Sequence, residues 1–238
     1  MEVPDLQRIL VVGCSRSGTT LLQGLLASHS RVHTFPETGV FLKTFGMRGK
    51  VLPWTRIGLT LGKERKALAR LLATQKEAPG ELPPVPPRRF SLQRSLSDTV
   101  DFFDALALAH GKGAWLEKTP RHVFHAERIR RAVPGAVCVH MLRRGEEVVA
   151  SIVDRARRYP RRFPRQLKPA YGIRQWNHSL KCTAEALENP GHVVVFYRDL
   201  AKGTEETLRA LSPMLGLPFE AGMLSPARRS RFAGEEEG

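Results

Sequence analysis

A glycine-framed loop near the start of the chain has the residue types and spacing to bind an anion. It reads Gly13-Cys14-Ser15-Arg16-Ser17-Gly18-Thr19-Thr20. A β-branched run precedes it and leucines at helical spacing follow it, which is the context in which a G-x-x-x-x-G frame binds phosphate. Backbone N–H groups and the positive end of the helix would surround the anion, and the Thr19 and Thr20 hydroxyls would add donors. The sequence therefore predicts an anion-binding loop.

The residue at the Walker lysine position of this loop argues against hydrolysis of nucleoside triphosphates. Thr19 occupies the place of the Walker lysine, and the apolar run Val137–Leu142 leads into Arg143 rather than an aspartate. A nucleotide triphosphatase uses that lysine on the β- and γ-phosphates, and an aspartate there helps to hold Mg²⁺. We therefore expect no metal at this site, and a P-loop nucleotide-dependent kinase becomes the less favoured alternative.

A second candidate anion site follows the run Val137–Leu142. Arg143 stands at the end of this run, and Ser151 follows eight residues later in a segment with helical periodicity. The planar guanidinium of arginine is a good phosphate ligand, and a serine in the first turns of a helix can add a hydroxyl donor. Arg143 and Ser151 are therefore candidate phosphate ligands.

Both sites resemble those of sulfotransferases that use 3′-phosphoadenosine-5′-phosphosulfate. Arg16-Ser17-Gly18-Thr19-Thr20-Leu21-Leu22 is similar to their 5′-phosphosulfate loop, and the segment from Leu142 to Ser151 is similar to their 3′-phosphate element, with Arg144-Gly145-Glu146 replacing the usual Asp-Pro-Arg. The resemblance implies that Arg16 contacts the phosphosulfate. The implied set of donor-binding residues is Arg16, Ser17, Gly18, Thr19, Thr20, Arg143 and Ser151.

Two further segments extend the resemblance to catalytic residues. Phe35-Pro36-Glu37-Thr38-Gly39 resembles the P-E-T segment of related bacterial enzymes, which implies that Glu37 is the base. The segment from Trp115 to His122 resembles an E-K-T-P-x-H segment of bacterial and tyrosylprotein-type sulfotransferases, which implies that Lys118 lies near the transferring group. Glu117 is the alternative base or a salt-bridge partner. His29, His33 and His122 are each expected to be packing or surface residues, and among them His122 is the one to test.

The resemblance implies direct in-line transfer of a sulfuryl group from this donor to a small-molecule or sugar hydroxyl. Glu37 would take the acceptor proton, while Arg16, Lys118 and the loop N–H groups would stabilise charge on the bridging oxygen. The resemblance covers about residues 8–224, and only loosely 40–113. Trp176 or Tyr171 could stack on adenine. No motif in 40–113 or 155–175 distinguishes a sugar, phenol, lipid or peptide acceptor.

Elements that would position these residues alternate between strands and helices. Apolar runs typical of buried strands end near Gly13, Leu142 and Tyr197, and leucine-rich segments with helical spacing separate them. This alternation predicts an α/β, three-layer P-loop-type domain with a central parallel sheet flanked by helices. We expect one domain over 1–238, with a helical and Pro-rich insertion at about 40–113 and a disordered tail at about 226–238.

The chain has 238 residues and a formal net charge of +15, which indicates an anionic partner. The densest basic stretch contains Arg155, Arg157, Arg158, Arg161, Arg162, Arg165 and Lys168. It leaves open a solvated face, an anionic acceptor or a basic nucleic-acid-binding protein. The basic tail Arg228-Arg229-Ser230-Arg231 could assist 3′-phosphate binding, although we favour disorder there.

Cysteine usage and the N-terminus indicate the compartment. Cys14, Cys138 and Cys182 form no C-x-x-C pair, which favours a reducing compartment over a disulfide framework or a zinc site. The N-terminal residues carry acids and no basic run, and no apolar segment is long enough to span a membrane. We expect a cytoplasmic protein, of undetermined oligomeric state.

Overall fold

The computed structural model describes residues 6–47, 49–75 and 78–225. The expected tail at 226–238 and its basic residues lie outside this described part. No helix within the described residues is long and apolar enough to cross a membrane.

A five-stranded, fully parallel sheet forms the centre of the fold, in the order β2-β3-β1-β4-β5. The strands are β1 (Gln7–Gly13), β2 (Val32–Thr34), β3 (Ala114–Lys118), β4 (Val137–Leu142) and β5 (His192–Phe196). The central position of β1 places the end of that strand, and the loop after it, between the ends of β3 and β4. This arrangement confirms the α/β fold predicted from the alternating pattern.

Helices cover both faces of the sheet. In chain order the α-helices are α1 (Thr19–Ala27), α2 (Val40–Phe45), α3 (Pro53–Arg56), α4 (Arg65–Ala73), α5 (Leu92–Ala109), α6 (Ala126–Ala132), α7 (Gly145–Arg158), α8 (Pro169–Leu187), α9 (Tyr197–Lys202) and α10 (Thr204–Leu211). Short 3₁₀ turns occupy Pro120–His125, Pro164–Leu167, Ser212–Leu215 and Ala221–Leu224.

Strand alternation divides the core into two layers. Leu10 and Val12 of β1 belong to the cluster that packs under α4, α5 and α6, whereas Ile9 and Val11 belong to the cluster under α1 and α10. The same rule separates neighbours on β3, because successive side chains of a strand point to opposite faces. Trp115 lies in the first layer and Leu116 in the second. Glu117 and Lys118, which continue this alternation, therefore point to opposite faces of the sheet.

The largest departure from the predicted elements lies in the insertion. Leucines at helical intervals over 55–76 predict helical structure there, but α3 ends at Arg56 and α4 begins only at Arg65. Gly58 and Gly62 between them have φ angles of 77° and 64°, a left-handed conformation that interrupts a helix. The Pro-rich segment from Ala78 to Arg89 contains no helix or strand, as the spacing of its prolines predicts.

Several helix boundaries also differ from those that the hydrophobic periodicity predicts. The periodicity predicts one helix from about Arg121 to Ala132 and another from Thr204 to Leu215. The first is a 3₁₀ turn followed by α6, and the second, α10, ends at Leu211. The periodicity also predicts a helix from Asp98 to Ala109. This helix, α5, begins earlier, at Leu92, because Ser91 caps it and accepts from the Arg94 N–H at 3.5 Å. Helix α9, directly after β5, was not predicted.

Candidate active site

The anion-binding loop between β1 and α1 has two residues in the left-handed region. Gly18 has a φ of 93°, and a Cβ at this position would lie 2.4 Å from the Tyr197 ring. Arg16 has a φ of 75° and is the non-glycine residue that adopts positive φ in the described part of the chain. Such a conformation costs energy for a residue with a Cβ and is concentrated at functional sites. The loop geometry therefore requires glycine at 18 and places strain at Arg16.

Donors in this loop are free to bind an anion. Within the described residues, the backbone N–H groups of Gly18, Thr19 and Thr20 have no hydrogen-bond acceptor. Gly18 precedes α1, and Thr19 and Thr20 are its first two residues. The N-terminus of this helix of nine residues carries partial positive charge. The buried Ser17 hydroxyl likewise has no partner there. The loop thus presents unpaired donors at the positive end of a helix.

Arg16, Arg143 and Ser151 meet at one edge of this loop although they are far apart in the sequence. Arg16 donates from Nε to Ser151 Oγ at 3.1 Å, and Arg143 donates from Nη1 to the Arg16 carbonyl oxygen at 3.4 Å. These contacts join the loop after β1 to the N-terminal half of α7. The two anion sites predicted separately therefore form one continuous surface.

Neighbouring side chains hold the Arg143 guanidinium in place. Its Nε donates to Glu147 Oε2 at 2.7 Å, and the group lies 4.3 Å from the centre of the Tyr197 ring. Trp176 Nε1 donates to the Arg143 carbonyl oxygen at 3.0 Å. The i, i+4 spacing of Arg143 and Glu147 could have revealed the first contact, whereas the sequence marks Tyr197 only as the end of an apolar run.

The two aromatic candidates for adenine stacking lie beside this edge. Trp176 packs on Gly145, where an added Cβ would lie 3.1 Å from the indole. Tyr171 and Trp176 both pack against a small cluster that includes Cys14. Burial raises the pKa of the Cys14 thiol to about 11, so this cysteine of the loop stays protonated at neutral pH.

Lys118 and Glu37 meet on the other side of the loop. Lys118 Nζ donates to Glu37 Oε1 and lies 3.4 Å from Thr20 Oγ1. The lysine side chain is 5% exposed, whereas that of Glu37 is 53% exposed. The structure thus brings the expected base and the expected lysine together, with the carboxylate facing solvent.

Glu117 lies on the opposite face of β3 and is fully buried. Its Oε1 accepts from the hydroxyls of Thr38 at 2.8 Å and Thr119 at 2.7 Å, and its Oε2 lies 3.0 Å from His122 Nδ1. Burial alone would raise the pKa of Glu117, but attraction to His122 and these hydrogen bonds together lower it. Glu117 therefore hydrogen-bonds to His122 and does not pair with the adjacent Lys118.

This buried carboxylate fixes the segment that carries Glu37. Thr38 donates from both its hydroxyl and its backbone N–H to Glu117, and the Gly39 N–H donates to Thr119 Oγ1 at 3.2 Å. Glu117 and Thr119, on either side of Lys118, thus hold the loop after β2 in place. Glu117 positions the site from behind the sheet.

The candidate histidines have packing roles. His122 is fully buried, its ring lies edge-on to Phe41 at 5.3 Å, and it reaches Glu117 instead of the surface. His29 is buried and lies 2.9 Å from the Pro218 carbonyl oxygen, and His33 stacks on His110 with 4.0 Å between ring centres. All three histidines thus pack against other residues, which is one of the two roles expected of them.

The basic stretch from Arg155 to Lys168 spans the end of α7 and the turn before α8. Part of it folds on itself, since the Arg155 guanidinium lies 4.3 Å from the Phe163 ring centre and donates to Gln166 Oε1 at 3.0 Å. Arg161 and Arg165 are exposed. The stretch begins at Arg155, one helical turn beyond Ser151 on α7.

Comparison with known proteins shows the family to which this chain belongs. A sequence model described as the Sulfotransferase family matches residues 8–221. A search of curated proteins found no match. Similar solved structures include a sulfotransferase domain from the Synechococcus PCC 7002 olefin synthase, with 19% identity, a TM-score of 0.62, and 97% of this chain and 80% of that chain covered.

Two other solved structures share the fold. A sulfotransferase domain from the curacin biosynthetic pathway is 21% identical, with a TM-score of 0.64 over 97% of this chain and 80% of that one. A sulfotransferase from Alicyclobacillus acidocaldarius is 17% identical, with a TM-score of 0.53 over 96% of this chain and 85% of that one. At these identities the structures establish a common fold. The family model, which spans most of the sequence, shows that the chain belongs to the sulfotransferase family.

Proposed function

We propose that this enzyme transfers a sulfuryl group from 3′-phosphoadenosine-5′-phosphosulfate to a hydroxyl acceptor. The observation that carries the proposal is the placement of Lys118, which contacts both the exposed Glu37 carboxylate and Thr20 of the anion-binding loop. A proton acceptor, a cation and an anion-binding loop thus adjoin one another. In-line group transfer to a hydroxyl requires these three components.

The residues present fit a donor with anionic groups at two ends. Unpaired N–H groups of Gly18, Thr19 and Thr20 would hold the 5′-phosphosulfate, and the unpartnered Ser17 hydroxyl fits the same role. Arg143 and Ser151 would hold the 3′-phosphate at the connected edge. When bound, the donor supplies the sulfuryl group and a bisphosphate leaving group. Arg16, which contacts Ser151, lies between the two ends.

The chain's own residues would act on the acceptor and on the leaving charge. Glu37 takes the proton of the acceptor hydroxyl as its oxygen forms a bond to sulfur, and later gives that proton to solvent. The sulfur–oxygen bond to the nucleotide breaks, and Lys118 and Arg16 stabilise the negative charge left on that oxygen. The buried position of Lys118 strengthens this stabilisation, because charges interact more strongly away from water.

The acceptor is proposed to be a hydroxylated small molecule. Two of the similar structures are sulfotransferase domains from an olefin synthase and from the curacin biosynthetic pathway, which puts biosynthetic intermediates first among candidates. The exposed Arg161 and Arg165 beyond Ser151 favour an acceptor that carries negative charge.

Ligand-dependent melting tests the donor class. We expect 3′-phosphoadenosine-5′-phosphate to raise the melting temperature selectively, because a ligand that binds only the folded state stabilises it. ADP, ATP with Mg²⁺ and duplex DNA are the comparisons. An equal shift with ADP would contradict a 3′-phosphate site. A Mg²⁺-dependent shift with ATP would favour a kinase, and a shift with DNA alone would favour nucleic-acid binding.

Paired substitutions at Arg16 separate its chemical role from its backbone strain. Both Arg16→Ala and Arg16→Gly should lose sulfuryl transfer, because each removes the guanidinium. Arg16→Gly should be more stable than Arg16→Ala by about 1 kcal/mol, since only glycine adopts a φ of 75° without a Cβ penalty. Chemical denaturation of the two variants measures this difference. Equal stabilities would show that the strain at this position is relieved in solution.

A further inference from the structure

Three side chains on the face of the sheet covered by α6 and α8 form a cluster that sulfuryl transfer does not use. Cys138 and His140 are two residues apart on β4 and therefore point to the same face. His192 on β5 is the register partner of Cys138 and points to that face as well. One donor atom from each of the three lies within 4.8 Å of the other two. Strand register alone therefore gathers a thiol and two imidazoles.

The outer nitrogen of each histidine already has a partner that would orient it. His140 Nε2 and His192 Nδ1 face each other at 2.9 Å. His140 Nδ1 lies 3.0 Å from Thr183 Oγ1, and His192 Nε2 lies 2.9 Å from Glu127 Oε2. Metal-binding histidines almost always use their second nitrogen in this way, because such a hydrogen bond fixes the ring and its tautomer.

We propose that Cys138, His140 and His192 bind a zinc ion, although the lack of a C-x-x-C pair in the sequence argues against a zinc site. Thiolate and imidazole are the ligands that Zn²⁺ prefers, and three protein ligands with water complete a tetrahedron. In a tetrahedral zinc site the ligand atoms lie about 3.5 Å apart. His140 Nε2 and His192 Nδ1 would therefore move slightly apart, and any pair of ligand atoms farther apart than this would move closer together. Cys138 would lose its thiol proton to solvent, and His140, bound through Nε2, would carry its ring proton on Nδ1, facing Thr183.

The ion would tie the edge strand β5 to the interior of the fold. It would join β4 to β5 directly, and through Thr183 and Glu127 it would connect both strands to α8 and α6. Strand β4 ends at Leu142, immediately before Arg143. This role is structural and independent of the proposed sulfuryl transfer.

The same atoms also form a hydrogen-bond chain from Thr183 through His140 and His192 to Glu127, so the test must distinguish a metal from this chain alone. We would remove metals from the purified full chain, titrate it with ZnCl₂ or CoCl₂, and measure bound metal, absorbance and melting temperature. MgCl₂ is the control cation, because Mg²⁺ prefers oxygen ligands. Cys138→Ser removes the thiolate, and Cys182→Ser, on α8, is the matched control cysteine.

The expected result is one zinc ion bound per chain and a melting temperature that rises with zinc but not with magnesium. The cobalt-loaded protein should show visible absorption bands and a near-ultraviolet thiolate band. The thiolate band should vanish in Cys138→Ser and persist in Cys182→Ser. Glu127→Gln should weaken zinc binding about 10–100-fold, the usual effect of losing an orienting partner. Substoichiometric zinc in the wild-type protein, or a thiolate band that survives in Cys138→Ser, would overturn the proposal. The wild-type measurements decide the matter even if a variant fails to fold.

Discussion

Glu37→Gln is expected to lower the rate of sulfuryl transfer ~10²–10⁴-fold, the usual contribution of a general base. Binding of 3′-phosphoadenosine-5′-phosphate should be retained. The amide has nearly the shape of the carboxylate but cannot accept the acceptor's proton. The glutamine amide oxygen can still accept from Lys118, whose side chain is only 5% exposed, and the unliganded melting temperature of the variant reports any stability lost with the ion pair. Turnover with labelled donor and the bisphosphate-induced melting shift are the two measurements.

A remote glutamate provides the control for this substitution. Glu188, at the end of α8, is exposed, and its side chain forms no hydrogen bond or ion pair with the described part of the chain. Glu188→Gln should therefore keep both turnover and the melting shift. If Glu37→Gln turned over at the wild-type rate, Glu37 would be eliminated as the base. Glu117 could not replace it without movement of the sheet, because it is fully buried.

The parts of the fold that the sequence predicted are those determined by local pattern. Strand β1, the glycine-framed loop and α1 follow one another along the chain, so the apolar run, the glycines and the leucines each predict the next element. The fold class followed from the same alternation of strands and helices. Family resemblance added specific residues to this framework.

Features that depend on long-range packing could not be read from the sequence. The opposite roles of Glu117 and Lys118 depend on which face of β3 each residue meets, and adjacent letters do not reveal what covers that face. Tyr197 reaches Gly18 and Arg143 only because β5 ends beside them in the sheet. The break between α3 and α4 depended on glycines whose left-handed conformation a leucine pattern does not display.

Removal of the Arg143 guanidinium should abolish discrimination between 3′-phosphoadenosine-5′-phosphate and ADP. Hydrogen bonds to charged groups contribute about 1.5–3 kcal/mol, so Arg143→Ala should weaken bisphosphate binding ~10–100-fold. ADP lacks the 3′-phosphate, and its weaker binding should change little. Arg143→Lys should recover only part of the loss, because an ammonium cannot reproduce the planar fork. Calorimetric titration of each variant with both nucleotides measures the effect.

Arg144 supplies the matched control for this prediction. It is the next residue, its side chain is 71% exposed, and it pairs with Glu146 instead of the loop. Arg144→Ala should therefore bind both nucleotides as the wild type does. Arg143 also contacts Glu147 and the Arg16 carbonyl oxygen, so the unliganded melting temperature of each variant must be measured alongside. A folded Arg143→Ala that still prefers the bisphosphate to ADP by the wild-type ratio would place the 3′-phosphate elsewhere, because a lost structural contact would weaken both nucleotides alike.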